Sequence, residues 1–287
     1  MDQDLGDFLR SRRARIQPED VGLPAGGRRR VPGLRREELA QLAGVSVDYY
    51  VRLEQGRSPN VSDAVLDAIA RALRLDETES AHLRNLVRPA RTARRTQRTQ
   101  QVRPGVLRML EMMDDVPAFV LGRRMDILAW NPLADAVTGF SALDRPNAAR
   151  HTFLHPDARE LYPEWSAVAA ETVAYLHLDA GRHPDDPQLA ALVGELSMKS
   201  EQFRRLWPRQ DVKDKTHGRK LIRHPIVGDL EFRYETFAVP GDESQLLVAY
   251  TVAAGSPSEE RLRLLASWQA SEPPADVRPP SREPRSR

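Results

Sequence analysis

Asp48, Tyr49 and Arg52 stand close together between residues 34 and 56, LRREELAQLAGVSVDYYVRLEQG, and carry the groups that read base edges. Arg52 is a long donor able to reach guanine O6 and N7, Asp48 can accept from cytosine N4, and Tyr49 can pack on a thymine methyl, with Val47 beside them. Ser46 and Arg36 fall at expected helix N-termini, where backbone amides also meet phosphate. Arg57 and Asn60 follow and are placed to clamp the backbone, although Asn60 equally suits a cap of its own loop. Arg28, Arg29 and Arg30 come after Gly26-Gly27 and suit phosphate contacts or an arm in a minor groove; a plainly exposed loop is the alternative. The partner this chemistry fits is double-stranded DNA.

Two short helices must position these groups. Residues 35–43 carry Leu39, Ala40, Leu42 and Ala43 close to one helical face. Gly44 supplies the positive φ that ends a helix, and Val45 plugs the corner. Ser46 is a good N-cap for a second helix over residues 46–55, ended by Gly56. Its inward positions are Tyr50 and Leu53, which leaves Val47, Asp48, Tyr49 and Arg52 to face outward. Glu54 reads as an anchor that holds the bundle through a hydrogen bond or ion pair. Helix, glycine turn and helix with a polar outer face is a helix-turn-helix.

The segment resembles the XRE family of lambda-repressor-like helix-turn-helix domains. The matching residues are Glu38-Leu39-Ala40, Ala43-Gly44-Val45-Ser46, Tyr49-Tyr50, and Arg52-Leu53-Glu54-Gln55-Gly56-Arg57. The likeness covers about the first 85 residues. It implies a first helix, expected over residues 4–16 with Leu5, Phe8, Leu9 and Arg12 inward, whose end lies near phosphates. Helices at 62–73 and 76–87 complete an all-α bundle. One such domain touches only a half-site, so a homodimer on a near-palindrome is expected.

Bulk composition agrees with a nucleic-acid-binding front and a different back. Residues 1–103 hold 20 arginines against 14 acidic residues, and residues 104–287 hold 23 basic against 27 acidic residues. With no cysteine there is no disulfide framework, thiolate metal site or cysteine nucleophile. No apolar run suits membrane insertion and no secretory signal opens the sequence, so a cytoplasmic, nucleoid-associated location is expected. The 287 residues divide into a DNA-binding domain (1–87), a basic linker (88–103), a second domain (104–270) and a disordered tail (271–287).

The second domain reads as α+β. Short strands are expected at 118–121 and 125–129, then helices, with Asn131-Pro132 opening one and residues 163–178 forming a strongly amphipathic one. Strands follow at 220–224, 229–239 and 245–253, and a last helix at 261–270. This is the layout of a PAS-like sensor. It is also similar to the ligand-binding domain of MmyB-like transcription regulators, through Val120-Leu121, residues 127–131 (ILAWN), Arg150 with Phe153-Leu154, Tyr162 with Trp165, and the hairpin from Leu230 and Phe232 to Thr251. That resemblance implies a small, lipid-like ligand.

An apolar pocket would draw on Phe119, Leu121, Ile127, Trp130, Phe153, Trp165, Phe232 and Tyr234, with Asn131 and Arg150 at its polar end. Arg150 has no acidic partner near it in sequence, and the carboxylate of a fatty-acid-like molecule would satisfy it. The alternatives are an ordinary core with Arg150 at the surface, and a dimerisation or protein-partner module without ligand. Catalysis finds little support. His151 and His155 have a spacing that could present two imidazoles on one helix face, but Pro156 interrupts it and no HExxH, GxSxG or P-loop pattern is present. No catalytic residue, metal or cofactor is expected.

Overall fold

The computed structural model describes residues 2–24, 32–57, 61–88 and 100–271. The N-terminal helices are α1 (Asp2–Arg13), α2 (Arg36–Leu42), α3 (Val47–Glu54), α4 (Asp63–Ala72) and α5 (Glu77–Val87). Their apolar stripes meet in one core around Phe8, Leu39, Tyr50, Leu53, Ile69 and Leu83. Two glycine corners shape the helix-turn-helix. Gly44 sits at φ +67, and the amides of Gly44 and Val45 donate to the carbonyls of Gln41 and Ala40 at 3.1 and 3.0 Å. Gly56, at φ +71, closes α3 in the same way, with Arg57 reaching back to Arg52. These bonds satisfy carbonyls that a helix end leaves open. The Ser46 Oγ accepts from the Tyr49 amide at 3.2 Å and fixes where α3 begins. Against α3, α1 packs so closely that a Cβ on Gly6 would lie 2.4 Å from the Glu54 carbonyl oxygen. Helix α1 starts and stops earlier than periodicity suggests, yet Ile16 beyond its end is buried.

The α+β region begins with α6 (Pro104–Glu111), then β1 (Ala118–Leu121) and β2 (Ile127–Trp130). Helices α7 (Pro132–Thr138), α8 (Ala148–Leu154), α9 (Ala158–Leu161), α10 (Trp165–Arg182), α11 (Pro187–Lys199) and α12 (Glu201–Leu206) follow. Strands β3 (His217–His224), β4 (Gly228–Val239) and β5 (Asp242–Thr251) and helix α13 (Pro257–Ser271) end the described chain. The five strands form one antiparallel sheet in the order β2-β1-β5-β4-β3. This is the α+β, PAS-like arrangement that the order of elements led one to expect. Strand alternation puts Val120, Ala129 and Leu247 on the face that Val106 and Leu110 of α6 cover. The other face carries Phe119, Trp130, Phe232, Tyr234 and Tyr250. Helix α8, too short to show a clear period in sequence, is capped by Asn147, whose Oδ1 accepts from the Arg150 amide at 2.9 Å.

Packing divides the chain into two units that do not follow the linear boundaries at 87 and 104. Besides the N-terminal helices, the first unit takes in Val173–Ala191 and Arg204–Asp214. Val212, in the second of these stretches, packs on the N-terminal core. At the other end of the expected linker, residues 100–103 are pinned to the sheet region. The Gln100 Oε1 accepts from the Arg123 amide at 2.8 Å, and Gln245 Nε2 donates to the Gln101 carbonyl at 3.1 Å.

Each unit buries neutral imidazoles. Burial pushes His82 on α5 down to about 3, with His177, Arg12 and Arg182 adding like charge. Burial likewise lowers His177 on α10 and His151 on α8 to about 4. Released on unfolding, these rings take up protons near 6.5, so between those values the unfolded state binds more protons than the folded one. Their contribution to stability is complete above about pH 6.5 and is lost as pH falls toward the folded values. Urea midpoints should therefore decline from about pH 7.5 to about pH 5, a range mostly above carboxylate titration. His82→Phe should flatten part of that decline; a midpoint constant over the range contradicts the assignment.

Candidate nucleic-acid interface

The two faces of α3 differ sharply. Tyr50, Leu53 and Glu54 are buried, whereas Val47 is 42% exposed, Asp48 and Arg52 are exposed and Tyr49 is half-buried. Among the described residues, the side chains of Asp48, Arg52 and Arg57 make no hydrogen bond or ion pair. Asp48 lies in the first turn of its helix, where the macrodipole favours a carboxylate. Ser46 is exposed, and its hydroxyl proton stays available because Oγ acts in the cap as an acceptor. Asn60, Arg28, Arg29 and Arg30 lie outside the described residues.

Arg36, in the first turn of α2, is held from behind. Its Nε and Nη2 donate to the Glu54 Oε1 at 3.0 and 2.8 Å. The Glu54 side chain is 1% exposed, the Arg36 side chain 45%. The hydrogen bond to Glu54, and then its charge, raise Arg36 above the ordinary guanidinium value. Arg13 of α1 approaches the other carboxylate oxygen, Nε to Oε2, at 3.5 Å. Glu54 thus anchors α3 to both α1 and α2, as its position in the sequence suggests. Arg13 has no such signal in sequence, since only the packing of α1 brings it to Glu54. Among the described residues, three of the five Arg36 donors are left without a partner.

The residues expected around a ligand in the sheet region divide by environment. Phe119, Leu121, Ile127, Trp130, Phe232 and Tyr234 are buried, and Phe153 and Trp165 half-buried. Phe119 meets Phe140 and Tyr250 edge-on at 5.2 and 5.6 Å, while Phe232 stacks on Tyr250 at 5.2 Å. Phe153 sits between Trp165 and Phe203 at 6.0 and 5.2 Å. Asn131 is fully buried and its amide is fully engaged. Oδ1 accepts from the amides of Ala134 and Ala118, and Nδ2 donates to the carbonyls of Met113 and Val116. Arg150 has found an acid distant in sequence: its Nε donates to Glu195 on α11 at 2.9 Å, and Glu195 also takes Lys199 at 2.9 Å. His151 lies 3.3 Å from the Tyr162 hydroxyl and its ring is 5.0 Å from that of His155. No group of three or more His, Asp or Glu is placed to hold a metal among the described residues. No helix there is long and apolar enough to cross a membrane.

A helix-turn-helix with an exposed polar recognition face, joined to an α+β sensor fold, defines a class of ligand-linked DNA-binding regulators. Comparison with protein families agrees on both parts. A family described as a helix-turn-helix domain matches residues 4–83. The MmyB-like transcription regulator ligand binding domain matches residues 102–265, more than half of the chain. The chain belongs to the MmyB-like transcription regulators, DNA-binding proteins with a ligand-binding domain. Neither family is one of enzymes. Comparison with curated proteins gives no match.

Proposed function

We propose that α3 enters the major groove of double-stranded DNA with Val47, Asp48, Tyr49 and Arg52 at base edges. In this reading Arg36, Ser46, Arg57, Asn60 and the arginines at 28, 29 and 30 contact phosphate and set the register. The observation that carries it is the α3 outer face: donors and acceptors without partners among the described residues, on a helix whose inner face is locked in a core. A homodimer on a near-palindrome supplies two half-sites, and the place of action is the nucleoid in the cytoplasm. Arg52→Ala should cost about 1–3 kcal/mol on the best site and relax preference at one base pair. Selection of preferred sites from a random duplex pool, followed by titration of both proteins, measures this. Equal discrimination by variant and parent would remove Arg52 from the readers.

We further propose that the sheet domain takes a fatty-acid-like molecule. Its carboxylate would replace Glu195 on Arg150 while Glu195 keeps Lys199, so the exchange strands no charge. The alkyl chain would part the rings around Phe119, Trp130, Phe153 and Trp165. Asn131, with every hydrogen-bonding position engaged, would shape the wall rather than bind the ligand. A module that serves only dimerisation or a protein partner is the other reading. A ligand that binds only the folded state raises its melting temperature with concentration. Medium- and long-chain fatty acids should do this for the parent and not for Arg150→Ala. A melting temperature that no fatty acid moves is the result that rejects a lipid ligand.

A further inference from the structure

The first unit contains more than a helix-turn-helix bundle. The second half of α10, residues 173–182, and the stretch after α12 pack within it. His177 of α10 stacks on Trp207 with ring centroids 3.8 Å apart, and its Nε2 donates to the Trp207 carbonyl at 2.8 Å. That stack holds a tight turn in which Gln210 takes φ +55, a left-handed conformation uncommon for a residue with a side chain. The turn presents its backbone to α1. The Gln210 carbonyl accepts from Arg12 Nη2 at 2.7 Å, and the Arg209 carbonyl accepts from Arg15 Nη2 at 3.1 Å. Asp211 pairs with Arg15. Arg12 is 2% exposed and also pairs with Glu79 of α5 at 2.8 Å. A second grip comes from Gly181, where a Cβ would lie 2.4 Å from the His82 ring of α5.

Gln210, Arg209, Asp211 and Gly181, all beyond residue 87, thus meet Arg12 and Arg15 at the end of α1 and His82 on α5. Helix α1 in turn lies against α3 at Gly6 and Glu54. Helix α10 does not start in this unit. Its first half, residues 165–172, belongs to the sheet-containing unit, where Trp165 Nε1 donates to the Thr152 carbonyl at 2.9 Å. Val168, Ala169 and Thr172 of the same half are buried.

We propose that the second half of α10 and residues 207–211 form a clasp that seats α1, and that DNA affinity depends on that clasp being closed. The proposal rests on the DNA-binding reading above and does not depend on which ligand is bound. By reciprocity, DNA that favours a seated α1 must favour a closed clasp by the same free energy.

Hydrogen exchange of the full chain, with and without random-sequence duplex DNA at low salt, tests this without mutation. Slower exchange is expected in α3 and also in residues 173–182 and 207–211. Protection of α3 with both distant stretches unchanged overturns the clasp. A chain in which α3 itself gains no protection has failed as a DNA binder, which is a separate failure. Trp207→Ala, which removes the stack, should speed exchange in α1 and weaken duplex binding by about fivefold or more. Trp207→Phe should restore most of both. Parental affinity in Trp207→Ala with α1 loosened would show that seating α1 does not govern DNA binding.

Discussion

The DNA-binding unit depends on a buried carboxylate. Burying a charge costs several kcal/mol unless cations and donors meet it, and removing one partner of such a pair is strongly destabilising. Glu54 is met by Arg36 on one oxygen and approached by Arg13 on the other, so three helices share one electrostatic anchor. The Tyr50 hydroxyl is buried in the same region, and burial raises its phenol well above the usual range. Apolar packing of Tyr50 and Leu53 sets the inner face of α3. The charge pairs at Glu54 act with that packing to hold the same face inward.

From that anchor the chemistry runs outward through the same residues. Arg36 is both a structural partner of Glu54 and a cation at the surface, so a phosphate contact there would report directly on the seating of α3. Arg12 and Arg13, one position apart on α1, make the corresponding links in two directions: Arg13 to α3 and Arg12 to α5 and the Gln210 carbonyl. A basic helix end that looks like a simple phosphate-binding surface is therefore largely engaged within the protein. In the sheet region Glu195 plays the comparable part, held by both Arg150 and Lys199.

What sequence reveals here follows the range of the interaction. The Ser46 cap, the Gly44 and Gly56 corners and the inward Tyr50 and Leu53 are set by residues a few positions apart, and local chemistry suffices to place them. Asn131 was legible as a cap for the same reason, but its bonds to the Met113 and Val116 carbonyls depend on how the chain folds back. Arg150 looked unpaired because Glu195 is 45 residues away. The amphipathic pattern of α10 told which face is apolar and could not tell that its second half meets α5 instead of the sheet. Arginine is abundant enough in this sequence that composition could not separate those that anchor helices from those free to meet phosphate.

Salt dependence gives the most direct test of the central assignment, that this chain binds duplex DNA through a cationic helix-turn-helix surface. Each phosphate neutralised should contribute a slope of about −0.9 to a plot of log affinity against log salt concentration. The full chain titrated onto random-sequence duplex between about 50 and 200 mM salt should give a slope of roughly −3 or steeper, from three or more contacts among Arg36, Arg57 and the arginines at 28, 29 and 30. A flat plot, or no binding at the lowest salt, would contradict a DNA-binding role for α3 and its flanking cations.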